Sequence, residues 1–115
     1  MKLVKARVLY WKEVPVQVQV QGDTGTVSRQ LDGRFQQGVD AIAMLDGSQG
    51  TDAYLEAWEW GAFVEVDGGV EDAAERTTAR FNEGFPRDFV ARIRDLIESG
   101  RRDPRPGAVD HWCEA

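Results

Sequence analysis

Few side chains in this sequence have types and spacings suited to bond-making. His111 and Cys113, the single histidine and the single cysteine, form an H-x-C pair near the end of the chain. Such a pair can supply part of a metal site or a thiolate–imidazole couple. A closed zinc site takes four ligands, and the sequence has no further cysteine or histidine to complete one. A terminal segment also lacks the rigid support that either role demands. The sequence contains no phosphate loop of the GxxxxGK(S/T) type, no GxGxxG turn and no GxSxG elbow. Ser28, Ser48 and Ser99 stand far from any sequence cue for a base. The reading is therefore of no catalytic residue, no metal and no cofactor.

Carboxylates at helical spacing are the second candidates: Asp52 with Glu56, Glu71 with Glu75, and Asp72 with Glu75. Two carboxylates on one helix face can act as acid and base or hold a hard cation. In an acidic chain such pairs more commonly form a solvated face. Aromatic residues come third, in Tyr10-Trp11 and Trp58-Glu59-Trp60. Trp58 falls on an apolar stripe and reads as core. Trp11 and Trp60 fall at element ends, where an indole can anchor a partner or roof the open end of a sheet. The candidate binding surface is thus Trp11, Trp60, Asp52, Glu56 and Glu59.

The elements that must position these residues are legible from periodicity. Residues 3–10 (LVKARVLY) alternate as a strand. From Val14 to Gln21 valines alternate with Pro15, Gln17 and Gln19, which predicts a second strand with a valine face and a glutamine face. The glutamine face meets either water or another protein. A Gly22–Gly25 turn leads to a third strand over residues 26–31, which completes a three-stranded antiparallel meander. Asp32 is placed to cap a helix whose apolar stripe is Phe35, Val39, Ile42 and Ala43, with Met44 and Leu45. Gly47 ends that helix. Thr51 is placed to cap a short second helix bearing Tyr54, Leu55 and Trp58. Residues 62–66 predict a fourth strand. Two C-terminal helices follow, marked by Val70, Ala73, Ala74, Thr77 and Phe81, then by Phe89, Val90, Ile93, Leu96 and Ile97. The predicted class is α+β, with the helices packed on one sheet face. Residues 1–100 form one domain, and 101–115 read as a polar, mobile tail.

Composition and charge narrow the function classes. The chain has 115 residues and a net charge of −6, with 42% hydrophobic residues, ordinary for one globular domain. Residues 36–75 hold ten Asp/Glu and no Lys or Arg, whereas the flanking stretches are near balance. Such a surface repels nucleic acid and anionic lipid and attracts basic partners or cations, although acidity also serves plain solubility. No apolar run approaches the ~20 residues of a membrane span. The lone cysteine and the lack of a leader-like start point to the cytoplasm.

Several segments together resemble a small bacterial "virulence factor" domain family. They are Tyr10-Trp11-Lys12-Glu13-Val14-Pro15-Val16-Gln17-Val18, Arg34-Phe35 followed by Val39-Asp40 and Ala43-Met44, and Thr51-Asp52-Ala53-Tyr54-Leu55 with Trp58. The resemblance covers roughly residues 8–98. It implies no reaction, ligand or catalytic residue. The fusion of some relatives to helical repeats implies an interaction module. A second resemblance is to ribbon-helix-helix repressors, carried by residues 26–60. It implies a strand paired across a dimer, with Ser28, Gln30 or Arg29 reading DNA. Against it stand a preceding strand able to pair in the same chain and the acidic stretch over both helices.

The sequence thus points to a non-catalytic protein-interaction or accessory module with a partner that is another, basic protein. The alternatives are a DNA-binding regulator and an enzyme or enzyme subunit with an acidic pocket. A glutamine-faced edge strand also allows a homodimer.

Overall fold

The computed structural model describes residues 3–114. Strands β1 (Leu3–Trp11) and β2 (Val14–Gly22) form a long hairpin, and β3 (Gly25–Gln30) adds to the outer side of β2. Strand pleating sends alternate residues to opposite faces. Val14, Val16, Val18 and Val20 are accordingly buried, while Gln17 and Gln19 are half-buried on the other face and Gln21 is exposed. Pro15 lies opposite Tyr10, where the β1–β2 register shifts, a position at which a residue without an N–H is tolerated.

The other edge of β1 is shared. Strand β4 (Trp58–Trp60) pairs with Leu9–Trp11, and β5 (Val64–Asp67) pairs with Leu3–Ala6. The sheet therefore has five strands, one more than the sequence predicts. The added strand is β4. The second helix, α2, covers only Asp52–Glu56, and Trp58 leaves it for the sheet. Ala62 and Phe63 precede β5 rather than opening it.

Helices α1 (Gly33–Asp46), α3 (Val70–Gly84) and α4 (Phe89–Glu98) supply the apolar layer against the valine face. Phe35, Phe85 and Phe89 cluster with ring centroids 5.3–5.6 Å apart. Gly38 lets α4 approach α1, since a Cβ there would lie 2.2 Å from the Phe89 ring. Gly47 ends α1 in the left-handed conformation at φ 81°, as the glycine predicts. Three local expectations are corrected. Met44 and Leu45 are exposed on the outer side of α1, and so is Leu55 on α2. Neither Asp32 nor Thr51 caps with its side chain. The Thr51 hydroxyl instead donates to the Ser48 carbonyl, and the Asp32 amide donates to Asn82 Oδ1.

The segment from Arg102 to Cys113 lies against the domain. Val109 is buried, Trp112 sits 6.0 Å from the Phe85 ring, and a 3-10 helix spans Asp110–Glu114. Gly84 makes room for this segment: a Cβ on it would meet the Cys113 carbonyl at 2.8 Å.

Candidate interaction surface

Trp11 ends β1, but it has no exposed surface. Its indole N–H donates to the Tyr54 carbonyl at 2.9 Å, and its ring lies 5.5 Å from that of Tyr54. The Lys12 amide donates to the Ala57 carbonyl, which draws the α2–β4 segment over the strand end. The expected partial exposure of Trp11 is thus overturned: it anchors α2 to the sheet and presents nothing to a partner.

Trp60 is half-buried on β4, opposite Leu9. The Arg7 guanidinium lies 4.2 Å from its ring centre and 4.5 Å from that of Phe63, a cation–π arrangement with both rings. Arg7 also donates to Gln19 Oε1 at 2.7 Å, and Gln30 Nε2 donates to Gln17 Oε1 at 3.2 Å. The glutamine face therefore carries two separate cross-strand side-chain hydrogen bonds, one from an arginine and one between amides.

Asp52 and Glu56 on α2 and Glu59 on β4 are all exposed. Glu65 on β5 and Glu75 on α3 are exposed too. None of these five forms an ion pair among the described residues. No three His, Cys, Asp or Glu side chains among the described residues converge closely enough to hold a metal ion.

Sequence reasoning missed a buried ionic network. Glu13, in the β1–β2 turn, is fully buried and accepts a two-pronged contact from Arg102 at 2.7 and 2.8 Å. Arg102 also donates to Asp46 at 2.9 Å, and Lys12 reaches the same carboxylate oxygen at 2.6 Å. Burial opposes ionisation of Asp46. Hydrogen bonds from Lys12, Ser48 and Arg102 outweigh it and hold the carboxyl well below the usual carboxylate range. One acid of the 36–75 stretch is thereby consumed in structure. Glu13 and Arg102 are 89 residues apart, so no local pattern signals the pairing.

Two concavities add to this surface. One, of about 430 Å³, lies between β1, β5, α3 and the C-terminal segment, with Ala6, Val8, Val64, Phe81 and Pro106 as apolar walls. The Tyr10 hydroxyl donates to Asp110 there, at 2.5 Å. Burial first, and the Asp110 charge second, push the Tyr10 hydroxyl far above its ordinary value, which keeps it protonated and leaves no phenolate to serve as base or nucleophile. The other concavity, an open groove of about 590 Å³, runs beside β3 and carries Glu71, Asp72, Glu75 and Glu83 of α3 along with Arg29. Arg29 is drawn to Glu71 at 2.5 Å.

Comparison with known proteins places this geometry in a family without adding a chemistry. A search of curated proteins and a search of solved structures each returned no match. The family model described as "Virulence factor" matches residues 9–97, from the end of β1 to the last turn of α4. With most of its length inside that match, the chain belongs to the Virulence factor family.

Proposed function

We propose that the domain is a non-catalytic protein-interaction module whose partner presents a basic surface. One observation carries the reading: Asp52, Glu56, Glu59 and Glu75 stand exposed without an ion pair among the described residues, in a stretch without Lys or Arg, while Glu65, also exposed, lies opposite Lys5 of β1. Like charges left unneutralised on a surface steer and select an oppositely charged partner. Half-buried Trp60 follows Glu59 on β4, but strand alternation sends its ring to the glutamine face, against Arg7, so it offers an aromatic contact on that face and not beside Glu59. Trp11 leaves the proposed surface.

The enzyme alternative finds less support. In the cavity Tyr10 is held by Asp110, with Arg7, Thr77 and Arg80 also in the walls, and the raised Tyr10 hydroxyl stays protonated and so is not a ready base. DNA binding is disfavoured by the in-chain pairing of β3 with β2 and by the engagement of Arg29 with Glu71.

Affinity capture from the native host tests the reading, using wild type against the triple variant Asp52→Lys/Glu56→Lys/Glu59→Lys. These positions are exposed, so the variant should fold, which circular dichroism checks. Wild type is expected to retain a defined protein that the variant loses. Identical capture by both would contradict the proposal.

A further inference from the structure

The free edge of β3 runs beside the acid-lined groove. We propose that this edge takes an extended, basic segment of the partner as an added strand. The inference rests on the module reading and gives the same partner a second contact, since β3 and β4 lie at opposite ends of the strand order β3-β2-β1-β4.

In an antiparallel ladder, main-chain groups point alternately toward and away from the neighbouring strand. The Leu31 amide donates to the Val16 carbonyl, so Leu31 bonds inward to β2. Counting back along the register, Arg29 opposite Val18 and Val27 opposite Val20 bond inward as well. The N–H and C=O groups of Thr26, Ser28 and Gln30 therefore point away from β2. Among the described residues no other strand pairs with β3. The Ser28 carbonyl already accepts from Arg29 Nη1 at 3.1 Å, so these three residues offer about five further main-chain hydrogen bonds, enough to hold a segment of roughly five residues.

Side-chain direction adds the specificity. Val27 and Arg29 share the helix-side face with buried Val20 and Val18, and α3 packs on that side. Alternate side chains of an added strand would enter the groove toward Glu75 and Glu83, while Glu71 and Asp72 beside them are paired with Arg29 and Arg76. Among the described residues, Thr78 Oγ1 in the same wall is buried without a hydrogen-bond partner. The occupant that fits has lysine or arginine at every second position. A second copy of this chain fits poorly, because two copies of net charge −6 would bring two acid-lined grooves together.

The probe is a capped decapeptide alternating lysine with threonine. Comparators of the same length alternate lysine with proline, which keeps the charge and removes N–H groups, and glutamate with threonine. Amide hydrogen exchange of the full chain is read by NMR. The lysine–threonine peptide is expected to slow the Thr26, Ser28 and Gln30 amides at least about tenfold, while neither comparator does. Glu75→Lys/Glu83→Lys should weaken its binding about tenfold or more. Ser28→Pro removes one outward N–H at a position where an edge strand tolerates proline, and should abolish protection with the fold intact.

Unchanged exchange at these three amides up to about 1 mM peptide would overturn the inference. So would equal binding of the lysine–proline peptide, or protection that grows with protein concentration alone, which would assign the edge to a second copy. If exchange is unchanged while the triple variant still loses its captured protein, strand addition fails and the module reading stands. If that variant loses nothing, the module reading fails.

Discussion

At the scale of single residues, the molecule uses its charges in two ways. Glu13, Asp46, Lys12 and Arg102 are committed to structure, whereas Asp52, Glu56 and Glu59 remain in solvent. Removing one member of a buried ionic group strands its partners without compensation, at a cost of about 3–5 kcal/mol. Arg102→Met should therefore destabilise the domain by roughly 3 kcal/mol or more in denaturant unfolding. The double variant Arg102→Met/Glu13→Gln should recover part of the loss. Asp46 contributes a pH dependence of definite sign. Its carboxyl titrates lower when folded than unfolded, so its stabilisation is complete above the unfolded value, about pH 4, and declines as pH falls further. Asp46→Asn should lower the unfolding temperature near neutral pH and flatten its acid decline, as followed by circular dichroism. Little at this scale was legible in the sequence. Trp11 read as a half-exposed strand end because nothing local shows that residues 51–58 return to cover it. Glu13 read as a turn residue because its partner lies near the other end of the chain.

At the scale of elements, legibility followed the length of the hydrophobic period. The valine alternation of β2 and the stripes of α3 and α4 extend over enough residues to fix both type and face. Strand β4 has three residues, Trp58-Glu59-Trp60, too few to show a period of two against one of 3.6. Met44 and Leu45 extended the apparent stripe of α1, yet α1 buries Phe35, Val39, Ile42 and Ala43 and turns those two outward. Two glycines set how closely elements approach. Gly38→Ala would drive a methyl group into the Phe89 ring and should cost about 1–3 kcal/mol through separation of α1 from α4. Gly84→Ala meets backbone rather than a flexible side chain, so the Asp110–Glu114 turn must move. Accelerated exchange of the Trp112 amide, whose acceptor is the Val109 carbonyl, would report that displacement.

At the scale of the whole molecule, the C-terminal segment closes what the sheet leaves open. It brings Arg102 to Glu13, Val109 to the core and Asp110 to Tyr10. A chain ending at Gly100 would lose all three and should unfold at a lower temperature than Arg102→Met alone. Calorimetry of the two proteins makes the comparison; a truncated chain as stable as the full one would separate the segment from the domain's stability. The α+β class and the one-sided helix layer were readable because they follow from alternation and amphipathic stripes. The groove beside β3 was not, because it depends on where α3 crosses the sheet, which no local pattern encodes.

The central claim is the proposal that the acidic surface of this domain selects a basic protein. The most direct measurement is the affinity of the captured partner for the wild-type domain across ionic strength. Contacts between exposed charges are largely screened as the Debye length falls from ~10 Å at 0.1 M to ~3 Å at 1 M salt. The account predicts that affinity falls at least about tenfold over that range, with most of the loss in association rate. An affinity that does not change with salt would contradict it.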